Sequence, residues 1–438
     1  YFRPLPDPSD PDLLTRTAMN CNLKRILLSA AVLLAVPAMA QLKMSSPKYH
    51  GMDPDKLAQV DRVIEEAISE KTIPGAVISV VRGNEIVYLK AFGNKSVVPT
   101  VEPMTPQTMF DLASVSKCVG TTLSFLQLIE NGYVRLTDPV SRYIPGFRPW
   151  KNPDGDETVD ITIRDLLTHS SGLSPYIEVD AYVKEFGENS PDSLERYIAT
   201  RVPRHFRPGT EQMYSCLNFI TLQRILERVT GEKLYEYAQR HVFDPLELKH
   251  TCYFPLVDQP AVADAEKLAN LCAPTEVQSD GLPLAAKVHD PIARRVMGGN
   301  SGNAGVFSNA EDLSVICAAI LNNGSLYLKK TSDGKGRVRI LSPAMIRVMA
   351  TVPPENDPSV GRALGWDKPR TGPGTRGDLF DPETTLAHTG YTGTSIVIDQ
   401  KTKTAIILLA HRVHPYDEGS LARLRALVSN IVAGSILY

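Results

Sequence analysis

The 438-residue sequence lacks the marks of several protein classes. It has no C-x-x-C pair, no H-E-x-x-H and no G-x-S-x-G. Dithiol redox chemistry, zincin-type hydrolysis and the α/β-hydrolase elbow are therefore without a motif. The glycine-dense run 298–305 is not followed by G-K-[ST], so it does not read as a phosphate loop, and close backbone packing at a turn is the expectation. A formal net charge of −2 offers no basic footprint for nucleic acid. No apolar run reaches the roughly 20 residues of a membrane span, and no internal repeat is evident. Cysteine is scarce. Outside the leader only Cys118, Cys216, Cys252, Cys272 and Cys317 remain, an odd number expected as buried, unpaired thiols, with Cys252–Cys272 the nearest pair that oxidation would join. His289, His411 and His414 sit in separate segments, so they are expected as core or surface residues, with no metal and no cofactor.

What is present begins with an ordinary globular composition, 43% hydrophobic and 22% charged. Residues 1–18 read as a non-native upstream segment before a start at Met19. Lys24-Arg25, the apolar run Ile26 to Val36 and Ala38-Met39-Ala40 form the three parts of a signal peptide, residues 19–40, cleaved after Ala40. The remainder, 41–438, is expected to be one domain, periplasmic or secreted, with no membrane span after cleavage.

The chain is organised around Phe110-Asp111-Leu112-Ala113-Ser114-Val115-Ser116-Lys117 and the apolar run that follows to Ile129. Val119, Leu123, Leu126 and Ile129 recur at helical spacing, which places Ser114 and Lys117 on one face about a turn apart. Unpaired N–H groups of a first turn can stabilise an oxyanion. A serine needs a base to become a nucleophile, and Lys117 serves only if neutral, which burial favours. From a reference pKa of about 10.4, reaching ~7 costs roughly 4–5 kcal/mol. The same S-x-x-K spacing at Ser45/Lys48 and Ser332/Lys335 opens no apolar helix, so spacing alone decides nothing.

Along the rest of the chain, Asp53-Pro54 starts a helix striped by Leu57, Val60, Ile64 and Ile68. Ala76 to Val81 and Ile86 to Phe92 form a hairpin about Arg82-Gly83-Asn84-Glu85. The region 106–294 reads as mainly helical. The end returns to strands at Thr394 to Asp399 and Thr404 to Ala410, then a final helix through Leu424 and Val428. The expected architecture is α/β (α+β), an antiparallel sheet built from both chain ends (about 41–105 and 295–438), flanked by helices, with an inserted helical lobe.

Ser114-x-x-Lys117, Tyr214-Ser215-Cys216 and His388-Thr389-Gly390 fall in an order that resembles the serine β-lactamase and penicillin-binding-protein superfamily. The branch it is most similar to holds class C β-lactamases, related esterases and D-amino-acid peptidases. Leu166 to Leu173, the Pro208-Gly209-Thr210 turn and Ala304 to Ser308 before an Asp312 helix extend the likeness over nearly the whole 41–438 region. The resemblance implies the β-lactamase/transpeptidase-like fold and an acyl-enzyme on Ser114. It implies that Lys117 keeps the proton mobile and that Tyr214 relays it to the leaving group as a phenolate-like base held low by Lys117. Backbone N–H groups of Ser114 and Tyr391 would form the oxyanion hole, and Cys216, His388, Thr389 and Gly390 would touch substrate.

Two departures bear on the substrate. Cys216 stands where the family has asparagine, and a thiol is a weak hydrogen-bond partner. His388 stands where it has lysine, which removes much of the cation that meets a carboxylate. Both changes argue against an efficient β-lactamase and suit an esterase, or an amidase or peptidase of cell-wall fragments; the alternatives are a class C-like β-lactamase and a penicillin-binding protein that acylates without efficient turnover. Val288-His289-Asp290 and Arg412-Val413-His414-Pro415 are similar to bacterial cell-wall recycling hydrolases, muramyl-alanine amidases among them. The implied partner is a small-molecule or peptidoglycan-derived substrate.

Overall fold

Two seven- or eight-residue runs, Gly75–Arg82 and Thr404–Ala410, are apolar almost throughout, the signature of strands covered on both faces. They pair antiparallel from Ala76↔Ala410 to Arg82↔Thr404, so the two ends of the domain meet at the centre of one sheet. The computed structural model describes residues 42–254, 265–327, 336–368 and 374–438. The expected upstream segment (1–18), the expected signal peptide (19–40) and Ser332/Lys335 lie outside the described residues.

The eight-stranded sheet runs Arg362–Ala363, Trp366–Asp367, Thr385–Thr389, Ser395–Asp399, Thr404–Ala410, Gly75–Arg82, Glu85–Ser96, Glu102–Pro103, with every neighbouring pair antiparallel. Alternation along Gly75–Arg82 sorts its side chains. Ile78 and Val80 pack with Ile64 and Val428, from the helices Gln59–Ser69 and Ala422–Gly434. Val77 and Val81 pack on the other face with Ile316 of the helix Ala310–Leu321. Ser79 shares that second face and meets Ser314 hydroxyl to hydroxyl at 2.8 Å, so neither buried group is left unpaired.

Beyond that face lies the largely helical middle of the chain, centred on Leu123–Glu130 and Cys216–Thr230. It also holds short strands that the helical expectation omits. Val306–Ser308 is paired on one side with Phe110–Asp111 and on the other with Cys252–Tyr253. Elements of two or three residues have no period to read. Cys118, Cys216, Cys252, Cys272 and Cys317 are all free thiols. The glycine run packs tightly, as its density suggested: a Cβ on Gly302 would lie 2.1 Å from the Phe219 carbonyl oxygen. Among the described residues no helix is long and apolar enough to cross a membrane.

Candidate active site

The strand Phe110–Asp111 delivers the chain to a tight turn in which Ala113 adopts φ 45°, a left-handed conformation costly for a residue with a Cβ. Buried Asp111 holds that turn by accepting from the Ala113 N–H at 2.8 Å, while its other oxygen accepts from the His289 N–H at 2.7 Å. Ser114 follows in a 3₁₀ turn, Ala113–Val115. The continuation is not the regular α-helix expected: Lys117–Thr122 is a π-helical turn, and α-helix begins only at Leu123. Wide turns of this kind concentrate at functional sites.

Lys117 is wholly buried, and its Nζ donates to Ser114 Oγ at 3.0 Å, to the Asn303 carbonyl at 2.9 Å and to Cys216 Sγ at 3.6 Å. The Tyr214 ring lies 5.0 Å from the same nitrogen, close enough for a cation–π contact. Tyr214 is set by the turn after the helix Ile163–Leu167. There His169, at φ 55°, accepts from the Ser215 N–H at 3.0 Å through Nδ1 and lays its ring 4.3 Å from that of Tyr214. The buried Tyr214 hydroxyl has no hydrogen-bond partner of normal geometry among the described residues.

The strand Thr385–Thr389 brings in the third segment. Gly390 is needed there, since a Cβ would stand 2.4 Å from the Leu112 carbonyl oxygen. Thr392 and Thr394 then tie the strand end to the nucleophile turn, their hydroxyls donating to the carbonyls of Asp111 and Leu112 at 2.8 and 2.9 Å. His388 donates through Nδ1 to the Thr389 carbonyl at 3.0 Å. Burial, with Arg362 and Lys117 adding to it, holds the imidazole pKa well below its ordinary value, so His388 is neutral.

Ser114, Tyr214 and Tyr391 line two adjoining arms of one cleft. One arm, of about 430 Å³, continues past His388, Thr389 and Gly390 to Arg425; the other, of about 510 Å³, continues past Cys216 to Asp290. All eight residues named from the sequence therefore converge. Over the residues 60–430 the chain matches the Beta-lactamase family model. The chain belongs to the beta-lactamase family.

This beta-lactamase-family chain is 32% identical over 384 residues to the N-acetylmuramyl-L-alanine amidase of Bacillus subtilis (strain 168), covering 82% of this chain and 81% of that one. It is 31% identical over 389 residues to an Escherichia coli (strain K12) protein provisionally named a D-alanyl-D-alanine carboxypeptidase, covering 85% and 86%. Among solved structures, EstCE1, a hydrolase with promiscuous acyltransferase activity, superimposes with a TM-score of 0.64 at 24% identity, covering 87% of this chain and 99% of that one, a likeness of fold. Family and named relatives make the chain a hydrolase.

The protonation states differ from the expectation. Burial alone pulls the Lys117 ammonium down, but the Cys216 thiol, the Tyr214 phenol and Asp290 outweigh it and hold its pKa above the ordinary value. Burial raises the Tyr214 phenol, with Lys117 and Ser114 only partly opposing it. The resting hydrolase thus carries an ammonium at 117 and a neutral phenol at 214, rather than a free amine and a phenolate. The sequence reading also missed two partners. The Asn303 carbonyl that holds Lys117 comes from the glycine run, where the sequence points only to a turn. Arg362 is 3% exposed, pairs with Asp367 and stands 5.6 Å from the Tyr214 ring; burial pulls its pKa down to about 10. It lies on a two-residue strand with no motif to mark it. Among the described residues no group of His, Cys, Asp or Glu is arranged to hold a metal ion.

Proposed function

We propose that this hydrolase works through an acyl-enzyme on Ser114, with peptide or amide fragments of the cell wall as its substrates and simple esters as poorer ones. The observation that carries the reading is the buried Lys117 ammonium donating to Ser114 Oγ at 3.0 Å, with the buried Tyr214 hydroxyl beside both of them at the junction of two cavities. Lys117 and Tyr214 form one proton-carrying pair. When that pair gives up a proton, it accepts the one on Ser114 Oγ as the oxygen bonds to the scissile carbonyl carbon. The bond to the leaving nitrogen or oxygen then breaks, and Tyr214 passes the proton to that atom. Water repeats the sequence on the acyl-enzyme and releases the acid. The N–H groups of Ser114 and Tyr391 hold the oxyanion, and loss of one such donor typically costs about 10²–10³ in rate.

A specific observation favours a carboxylate-bearing fragment over a neutral ester. His388 is uncharged, but Arg412 and Arg425 line the arm, and its one carboxylate, Asp367, is paired with Arg362, so a cation faces the arm without a lysine before Thr389. The amidase name of the Bacillus relative agrees with this choice. Residues 19–40 acting as an export signal place the hydrolase in the periplasm or outside the cell, where wall fragments are found. The test is mass spectrometry of the intact protein after incubation with muropeptides, penicillins and p-nitrophenyl acetate. A covalent adduct absent from Ser114→Ala is the expected result, and an adduct or turnover that survives the substitution refutes the assignment.

A further inference from the structure

An oxyanion hole works only if its two N–H groups hold one geometry, because each must lie about 2.7–3.1 Å from the oxygen it stabilises. Here the two come from distant parts of the chain, Ser114 from the turn Ala113–Val115 and Tyr391 from beyond the strand Thr385–Thr389. Burial does not fix the second of them, since Tyr391 is 56% exposed. Its neighbours do. The Tyr391 hydroxyl donates to Asp417 at 2.6 Å, and Asp417 also pairs at 2.6 Å with Arg412, whose guanidinium lies 4.6 Å from the ring centroid. The His289 imidazole stacks on the same ring, with centroids 5.7 Å apart and planes 21° from parallel.

His289 is itself a fixed platform. Its N–H donates to Asp111 at 2.7 Å, and its Nε2 meets Glu276 at 3.3 Å. Arg294 donates to the carbonyls of His289 and Val288 at 2.7 and 2.8 Å. Asp111 is 0% exposed, and its other oxygen accepts from the Ala113 N–H at 2.8 Å. That bond holds the φ 45° residue immediately before Ser114. One buried carboxylate thus reaches both halves of the hole. It acts on one through the turn that aims the Ser114 N–H, and on the other through the imidazole against which Tyr391 lies. The Asp111 main chain adds a third tie, its carbonyl accepting from Thr392 Oγ1 at 2.8 Å, one residue past Tyr391. A carboxylate suits the task because both of its oxygens accept and neither must donate.

We infer that Asp111 and His289 are positioning residues that bring the two oxyanion donors into register, Asp111 as the shared anchor and His289 as the platform for Tyr391. The inference rests on the Ser114 reading and concerns residues that act through the main chain of others.

The test compares p-nitrophenyl acetate with its thiono analogue, in which sulfur replaces the carbonyl oxygen. Sulfur accepts hydrogen bonds weakly, so the ratio of kcat/KM for the two esters reports the alignment of the hole, whereas a loss of folded protein lowers both alike. In the intact chain the oxygen ester should lead by more than it does in the reaction with hydroxide. Asp111→Asn keeps the size of the side chain but turns an amide NH₂ toward one of the two N–H donors. Its kcat/KM for the oxygen ester should fall by about 10–100-fold, and the preference over the thiono ester by about tenfold. His289→Ala should lower the preference by about fivefold, and His289→Phe, which keeps a flat ring, should restore most of it. If Asp111→Asn fails to fold, the His289 pair decides, since both variants keep the N–H that Asp111 accepts. Glu195→Ala, outside both arms of the cleft, should lose stability with no change of preference. A preference unchanged in folded Asp111→Asn or in His289→Ala, or lowered equally in Glu195→Ala, overturns the inference. Ester turnover that persists in Ser114→Ala, or a preference in the intact chain no greater than that of hydroxide, overturns the Ser114 reading and this inference with it.

Discussion

Raising the pH should accelerate acylation tenfold per unit from pH 7 to pH 9, with no plateau on the way. Lys117 titrates above the ordinary 10.5 and Tyr214 above the ordinary 10.0, so both hold their protons at neutral pH. Attack by Ser114 needs one proton removed from that pair. At pH 7.5 a group titrating above 10.5 has lost its proton in fewer than about one molecule in a thousand. Each pH unit multiplies the competent fraction by about ten, equivalent to ~1.36 kcal/mol on the barrier. The two groups are coupled, so the limb reports the first proton lost by the pair rather than a pKa of either residue. The assay is the nitrophenolate burst from p-nitrophenyl acetate in a stopped-flow instrument, with Ser114→Ala as the blank at every pH. Lys117→Arg keeps the cation but cannot lose its proton, and should slow acylation by about 10²-fold or more. A rate that levels off between pH 6.5 and 8 would mean that a free base already exists at neutrality. The protonation states derived from the buried surroundings of Lys117 would then be wrong.

Other outcomes follow from packing and charge. Gly302→Ala pushes a methyl against the Phe219 carbonyl and displaces the neighbouring Asn303 carbonyl that holds Lys117; it should cost about 1–3 kcal/mol in urea unfolding and lower kcat as well, and wild-type values of both would refute the account. Burial depresses His411 to about 3 and holds His169 and His388 well below their ordinary value, so the unfolded chain binds more protons below pH 6.5. Stability is therefore fully present above that pH and lost as it falls, by up to about 2 kcal/mol per histidine between pH 6.5 and 5; an unfolding midpoint unchanged over that interval would contradict it. Glu195, 6% exposed, is shared by Arg224 at 3.0 Å and by Arg228. Glu195→Ala should lower stability by about 1.5–3 kcal/mol, because Arg224 loses one charged hydrogen bond but keeps Asp192 and Glu227, whereas a loss below about 0.5 kcal/mol would refute the account.

Much of the fold is legible without coordinates because its signals are local. The apolar, β-branched run of Gly75–Arg82, the turn at Arg82 to Glu85 and the helical stripe of Leu57, Val60, Ile64 and Ile68 each depend on residues a few positions apart. The order of Ser114, Lys117, Tyr214 and His388 is likewise a property of the chain alone, and with it the family and the class of chemistry. Two- and three-residue strands such as Val306–Ser308 escape that reading, since nothing in them repeats.

Charge state belongs to tertiary structure. Lys117 keeps its proton because Cys216, Tyr214 and Asp290 arrive from 97 or more positions away in the chain, by roughly a hundred residues or more of folding, and local sequence cannot weigh their fields against the cost of burial. The same holds for Arg362, buried against the Tyr214 ring. Sequence determined which reactive groups exist and in what order, because covalent connectivity carries that information. Folding decided which of them share a few ångströms of low-dielectric space, and electrostatic energy at that range sets what each can do.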